Sequence, residues 1–274
     1  MKVLMKTKIT CSVILLMLLV LFTRCSSNEP ENNNPVAEGT KILFIGNSLT
    51  FYNDVPGIFA NFADRTNKQL FIGTSLIGGA TLQEHSLNVE TVDLIFQYDW
   101  DYVVLQGGGY NAAFPEYFDE VLQPAKLLKN FILSNKPDSK IIYFMSFAAP
   151  DSVEANLTEL TYDVFQTMIY NGALKLADSL DCMVAPLGAA WRTVVEDRPD
   201  IIMYNPDGIH QSPAGAYLEA CVYYATIFQE SCEGIEYYGE MTPGIAGYLQ
   251  QVGSTTVLNN FELWSIPPLS KYLY

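Results

Sequence analysis

Five short apolar runs recur along this chain, and each is followed by a stretch of mixed polarity long enough for a helix. Ile42-Leu43-Phe44-Ile45 stops at Gly46. The run from Leu70 to Ile77 stops at Gly78-Gly79, and Tyr102-Val103-Val104-Leu105 leads into Gly107-Gly108-Gly109. Ile141 to Met145 and Met183 to Leu187 complete the set. Apolar runs of about four to eight residues bounded by turn residues read as buried strands. Between them, Asp54 is placed to cap a helix that buries Ile58, Phe59 and Phe62. Residues 82–97 predict a second helix and 117–134 a third, with Pro124 as a kink or restart. Over 157–180, Leu160, Val164, Met168 and Leu176 fall near one helical face. The last clear helix starts with Ser212 as N-cap and Pro213 at its first position, and carries Ala214, Leu218, Cys221, Val222 and Ala225 inward. Strand and helix alternating five times predict an α/β protein, a three-layer α/β/α sandwich around a five-stranded, mostly parallel sheet. In such sheets ligands bind beyond the carboxyl ends of the strands, so the post-strand loops are the place to search. The segment 233–274 is rich in Tyr and Gly and gives no readable pattern.

The N-terminus reads as an address. Lys2, Lys6 and Lys8 precede an apolar run from Ile9 to Phe22, the layout of a bacterial secretory signal. That run is shorter than the roughly 20 residues needed to span a bilayer. Cys25 follows where a lipoprotein cysteine would stand, although Arg24 directly before it departs from the usual small residue. The polar stretch after it, Ser26 to Asn34, has no apolar face to bury and reads as a flexible tether. It resembles the acidic tethers of exported Bacteroidetes lipoproteins. The expected organisation is a signal over 1–25, a tether over 26–39 and one α/β domain over 40–274, placed in the periplasm or on the outer-membrane surface. Lipidation at Cys25 and plain secretion after ordinary cleavage are both open. Cys182, Cys221 and Cys232 are left, with no CxxC spacing, so buried thiols are expected rather than a zinc site or a disulfide framework. A single Cys221–Cys232 bond is the alternative in an oxidising compartment.

Charge excludes whole classes of partner. The chain carries 15 basic and 30 acidic residues. Four of the basic ones (Lys2, Lys6, Lys8 and Arg24) lie in the first 25 residues, where no acidic residue occurs. What remains repels phosphate backbones and anionic lipid surfaces, which sets nucleic acid aside and leaves a lipid anchor as the one route to a membrane. Neutral substrates suit such a surface better than anionic ones.

The chemistry is carried by three residues. Gly46-Asn47-Ser48-Leu49 closes the first strand and would hold the Ser48 hydroxyl at the mouth of the sheet. A serine nucleophile needs a base with a near-neutral pKa, and the chain has only two histidines, His85 and His210. His210 stands in Pro206-Asp207-Gly208-Ile209-His210, just before the last strong helix, and Asp207 can fold back across a turn to orient the imidazole. His85 sits early in a modest helix and is expected to be structural. Tyr52, Tyr110, Phe114, Trp191 and Tyr204 fall in expected loops near strand ends, where aromatics can stack on sugar rings.

A serine after strand one and an Asp-x-x-His before the last helix, joined by an α/β pattern, resemble the SGNH (GDSL-like) hydrolases from about Lys41 to Glu230. The family's Gly-Asp-Ser-Leu block stands here as Gly46-Asn47-Ser48-Leu49, with Asn in place of Asp. Its second block is matched by Ile77-Gly78-Gly79-Ala80-Thr81, which implies the Gly79 N–H in an oxyanion hole. Its third block, Gly-x-Asn-Asp, is not kept. Asn111 fits only in a longer loop, and Gln106 is the other amide that could donate there. The resemblance implies a serine esterase without metal or organic cofactor. Ser48 would be the nucleophile, His210 the base and Asp207 its partner, and the enzyme would act on O-acyl, chiefly O-acetyl, esters of carbohydrate. The alternative is a non-catalytic glycan-binding surface lipoprotein on the same fold.

Overall fold

The computed structural model describes residues 39–107, 110–150 and 160–267. The proposed signal, Cys25 and nearly all of the tether lie outside the described residues. Five parallel strands form the sheet: β1 (Thr40–Gly46), β2 (Leu70–Leu76), β3 (Tyr102–Leu105), β4 (Lys140–Phe144) and β5 (Met183–Ala185), in the order β2-β1-β3-β4-β5. Ile42 pairs with both Ile72 and Tyr102, so β1 is central. Ile42 to Ile45 are fully buried, as a strand covered on both faces requires.

The strand order reverses at β1. The chain first steps to β2 and then crosses back over β1 to β3. With right-handed crossovers this puts the helices on opposite faces. One layer holds α2 (Val55–Arg65) and α8 (Pro213–Phe228), which contact each other. Phe44 of β1 meets Phe59 of α2 and Tyr223 of α8 edge-on in that layer. The other layer holds α3 (Leu82–Leu87), α4 (Val89–Gln97), α5 (Phe118–Asn135) and α6 (Tyr162–Leu180). The expected sandwich is therefore present, and its switch point falls at the carboxyl end of β1, where ligands bind in open α/β sheets.

Local chemistry accounts for the departures. The expected helix over 82–97 is two, because the Asn88 side chain accepts the Thr91 N–H and starts α4 afresh. Pro124 is absorbed inside a continuous α5. In α6 the buried stripe is Phe165, Ile169, Ala173 and Leu176, and Val164 is 48% exposed, so the expected inward face was rotated. Leu187 does not extend β5; it opens α7 (Leu187–Asp197), which buries Trp191 rather than leaving it in a loop. The unread tail contains α9 (Pro243–Leu258), laid closely on α8: a Cβ at Gly253 would come within 2.6 Å of Cys221 Cβ. Beyond α9, the Trp264 carbonyl accepts the Val184 N–H and so covers the edge of β5. Cys182, Cys221 and Cys232 are buried free thiols.

Candidate active site

β1 ends in a tight turn built by amide bonds. Asn47 caps α1 (Ser48–Phe51) through its side chain, which accepts the Leu49 N–H at 3.1 Å. Its Nδ2 donates to the Ala80 carbonyl at 2.9 Å, tying the turn to the Gly78–Gly79 loop. Gln106, 1% exposed after β3, holds the same turn from below. Its Oε1 accepts the Asn47 N–H at 2.6 Å and the Thr50 hydroxyl at 3.1 Å, and its Nε2 donates to Asn47 Oδ1 at 2.9 Å. A Cβ at Gly46 would lie 2.5 Å from Gln106 Oε1, so glycine is what lets the amide approach. The sequence marked Asn47 as a departure from Asp; here an amide serves, because it both donates and accepts.

His85 completes this support. It is fully buried, and its Nε2 donates to the Gly46 carbonyl at 2.9 Å while Nδ1 faces the Thr91 hydroxyl at 3.2 Å. Burial lowers its pKa, which keeps the ring neutral, as a donor to a backbone carbonyl can be. Its position under the turn is structural rather than catalytic.

The second half of the site is the loop before α8. Asp207 Oδ2 lies 2.7 Å from His210 Nδ1, and Oδ1 accepts the N–H groups of Ile209 and His210 at 2.9 Å each. The bond to the imidazole, followed by those two N–H bonds, holds the Asp207 carboxyl down at about 2. Occupation of Nδ1 leaves Nε2 as the ring nitrogen open to a reactant.

Three hydrogen bonds and a ring stack clamp this loop to the serine turn. Gln211 Nε2 donates to the carbonyls of Leu49 and Tyr52, both at 3.0 Å, and Asn53 Nδ2 donates back to the Gln211 carbonyl at 2.7 Å. The Tyr52 ring stacks on His210 with centroids 4.0 Å apart. Asn53 and Asp54 take left-handed conformations to make the bend, residue types that tolerate it. Ser48 and His210 thus flank one set of contacts at the same rim of the sheet. Among the described residues the Ser48 hydroxyl has no hydrogen bond, so no direct Ser48–His210 bond is formed.

The amide candidates for the oxyanion are placed differently. Gly79 is exposed, in a left-handed conformation (φ +71°), with open space where a side chain would be. Neither its N–H nor that of Ser48 is engaged by the backbone of the described residues. Gln106 is committed to the turn, and Asn111 Nδ2 donates toward Glu120 Oε2 at 3.4 Å. Gly108 and Gly109 lie outside the described residues. Among the aromatics named from sequence, Trp191 is buried and stacked on Phe147, Tyr204 meets both of them edge-on, and Tyr110 and Phe114 pack on Phe165. Of the five, Tyr52 packs on His210. Phe51 beside it, and Gln211, were not anticipated. Among the described residues no group of three or more His, Cys, Asp or Glu is arranged to hold a metal.

A five-stranded parallel sheet in this order, with these loops at its carboxyl edge, is the fold of the SGNH/GDSL-like hydrolases. Solved structures of this architecture superpose on the chain. A DUF4886 family protein from Bacteroides uniformis does so with a TM-score of 0.71 at 18% identity, covering 80% of this chain and 95% of its own. A protein assigned as an SGNH hydrolase from Slackia heliotrinireducens gives 0.54 at 24% identity, covering 68% and 97%. The acetyl xylan esterase AlAXEase gives 0.53 at 18%, covering 68% and 99%. By sequence, neither a family model nor a curated protein matches.

Proposed function

We propose that this chain is an exported serine esterase that removes O-acyl groups, chiefly O-acetyl, from carbohydrate. The observation that carries the reading is the 2.7 Å Asp207–His210 bond, in a loop clamped through Tyr52 and Gln211 to the turn bearing Ser48. Nδ1 is bound to a carboxylate and Nε2 is free, the tautomer a general base needs. His210 Nε2 takes the Ser48 proton as Oγ bonds to the ester carbonyl carbon. The N–H groups of Ser48 and Gly79 stabilise the oxyanion. The C–O bond to the alcohol then breaks, and His210 returns the proton to the leaving oxygen. Water, deprotonated by His210, attacks the acyl-serine, and the acid leaves as Ser48 regains its proton.

The carbohydrate target draws support from the acetyl xylan esterase among the structural neighbours and from the acidic surface, which disfavours anionic substrates. Export rests on the N-terminal pattern of Lys2, Lys6 and Lys8 before an apolar run, with lipidation at Cys25 as its anchor. The test is Ser48→Ala. The variant should keep its melting temperature and lose p-nitrophenyl acetate hydrolysis. Full activity in a folded variant defeats the assignment.

A further inference from the structure

Beside the candidate oxyanion loop lies a cavity of about 260 Å³, lined by Thr81, Leu82, Gln83, Asn111, Glu120 and Val121. Its link to the reacting centre is short in the chain. Asn47, next to Ser48, bonds the carbonyl of Ala80, next to Thr81, and Gly79 is two residues from the cavity wall. We propose that this cavity is the seat of the ester's alcohol part, and that it takes one neutral sugar ring by its hydroxyls. This rests on the esterase reading above and assigns the substrate side of the same site.

Four observations carry it. The lining mixes two side-chain amides, a hydroxyl and a carboxylate with an apolar floor of Leu82 and Val121. Sugar hydroxyls both donate and accept, so amides and a carboxylate match them, while an acyl chain would leave those groups unpaired. The only charge in the lining is the Glu120 carboxylate, which rejects anionic groups. The volume falls just under the range of about 300–1,000 Å³ that encloses whole small ligands, so it seats one ring and leaves further residues of a chain outside. The Asn111 amide, expected from sequence as an oxyanion donor, is instead turned to Glu120 across a long 3.4 Å contact, which a bound hydroxyl can bridge.

Glu120→Gln and Gln83→Ala test this, because both residues are exposed and neither belongs to the proposed triad. The full protein is assayed on p-nitrophenyl acetate, whose leaving group has no sugar hydroxyl, and on a mixture of mono-O-acetylated methyl pyranosides. Each variant should stay within about twofold of wild type on the aryl ester. On the sugar esters kcat/KM should fall roughly ten- to hundredfold for Glu120→Gln, mainly through KM, as loss of a hydrogen bond to a charged group implies. Equal losses on both substrates, no loss on the sugar esters, or no turnover of the sugar esters by a wild type active on the aryl ester would each overturn the subsite. Ser48→Ala separates the two claims: if it keeps aryl esterase activity, the esterase reading fails; if it abolishes activity while the variants behave as wild type on sugar esters, only the subsite fails.

Discussion

The ring of Tyr52 lies flat on the imidazole of His210, with centroids 4.0 Å apart and planes 12° from parallel. Tyr52 follows the short helix that begins at Ser48, so one side chain carries the geometry of the serine turn to the proposed base. The pair is partly exposed, with Tyr52 at 38%, so the stack orders the imidazole more than it stabilises the fold. A face-packed ring pair contributes about 0.5–1.5 kcal/mol. Tyr52→Leu should therefore lower kcat about two- to tenfold on p-nitrophenyl acetate, whereas Tyr52→Phe, which keeps the ring, should stay near wild type. Equal effects of the two variants would assign the role to the hydroxyl instead.

Asp207 is held ionised by His210 and by two backbone N–H groups, at about 2. Its folded value is depressed, so its grip on the imidazole is intact above the ordinary carboxylate range and is lost only as pH falls through about 2. Asp207→Asn removes the carboxylate charge and sets an amide N–H₂ against Nδ1, which favours the wrong imidazole tautomer. The expected loss in kcat is about 10³- to 10⁴-fold, by analogy with triads in which that carboxylate has been neutralised. Steady-state kinetics at pH 8 measure it; a loss under tenfold contradicts the role.

Gln106 holds the serine turn through two bonds to Asn47 and one to Thr50, all buried. Gln106→Leu leaves the Asn47 N–H and the Thr50 hydroxyl without their acceptor, at about 1–3 kcal/mol for each buried group left unpaired. Thermal unfolding should fall by several degrees, at about 2–4 °C per kcal/mol for a domain of this size. Activity should fall further than stability explains, because the turn itself loosens. Unchanged melting would show that the amide is dispensable.

Glu219 of α8 is 1% exposed, and its carboxyl has no hydrogen-bond partner among the described residues. Burial holds its pKa well above the usual carboxylate range. The unfolded chain releases this proton near about pH 4.3, while the folded protein keeps it. The contribution of Glu219 to stability is therefore greatest below that value and declines as pH rises toward the folded pKa. Glu219→Gln, isosteric with the neutral acid, should flatten that decline. Chemical denaturation at pH 5, 7 and 9 checks it, and parallel pH slopes for the two proteins contradict it.

Much of this architecture is legible in the chain because its signals are local. The β1 run ending at Gly46, the Asp54 cap and the Ser212-Pro213 helix start are each decided by a few adjacent residues. What escaped depends on distant partners. The helix α9 is interrupted by Gly244, Gly247 and Gly253, which blur its period, and Gly253 makes sense only against Cys221. Val164 looks apolar enough to be inside, yet the neighbouring stripe through Phe165 and Ile169 meets the core instead. In the site, Ser48, Asp207 and His210 stand out as candidates by residue type and spacing. The clamps do not, because the Gln211–Leu49 bond joins residues 162 apart and turns on a rotamer. The two histidines divide by burial, which no spacing reveals: His85 is sealed beneath Gly46, and His210 is partly exposed.

Reaction with a fluorophosphonate probe, followed by peptide mass mapping, tests the central claim most directly. The account predicts a single phosphonylated peptide carrying Ser48, with labelling abolished in His210→Ala although that variant remains folded. An unlabelled native protein, or a label mapping to another serine, contradicts it.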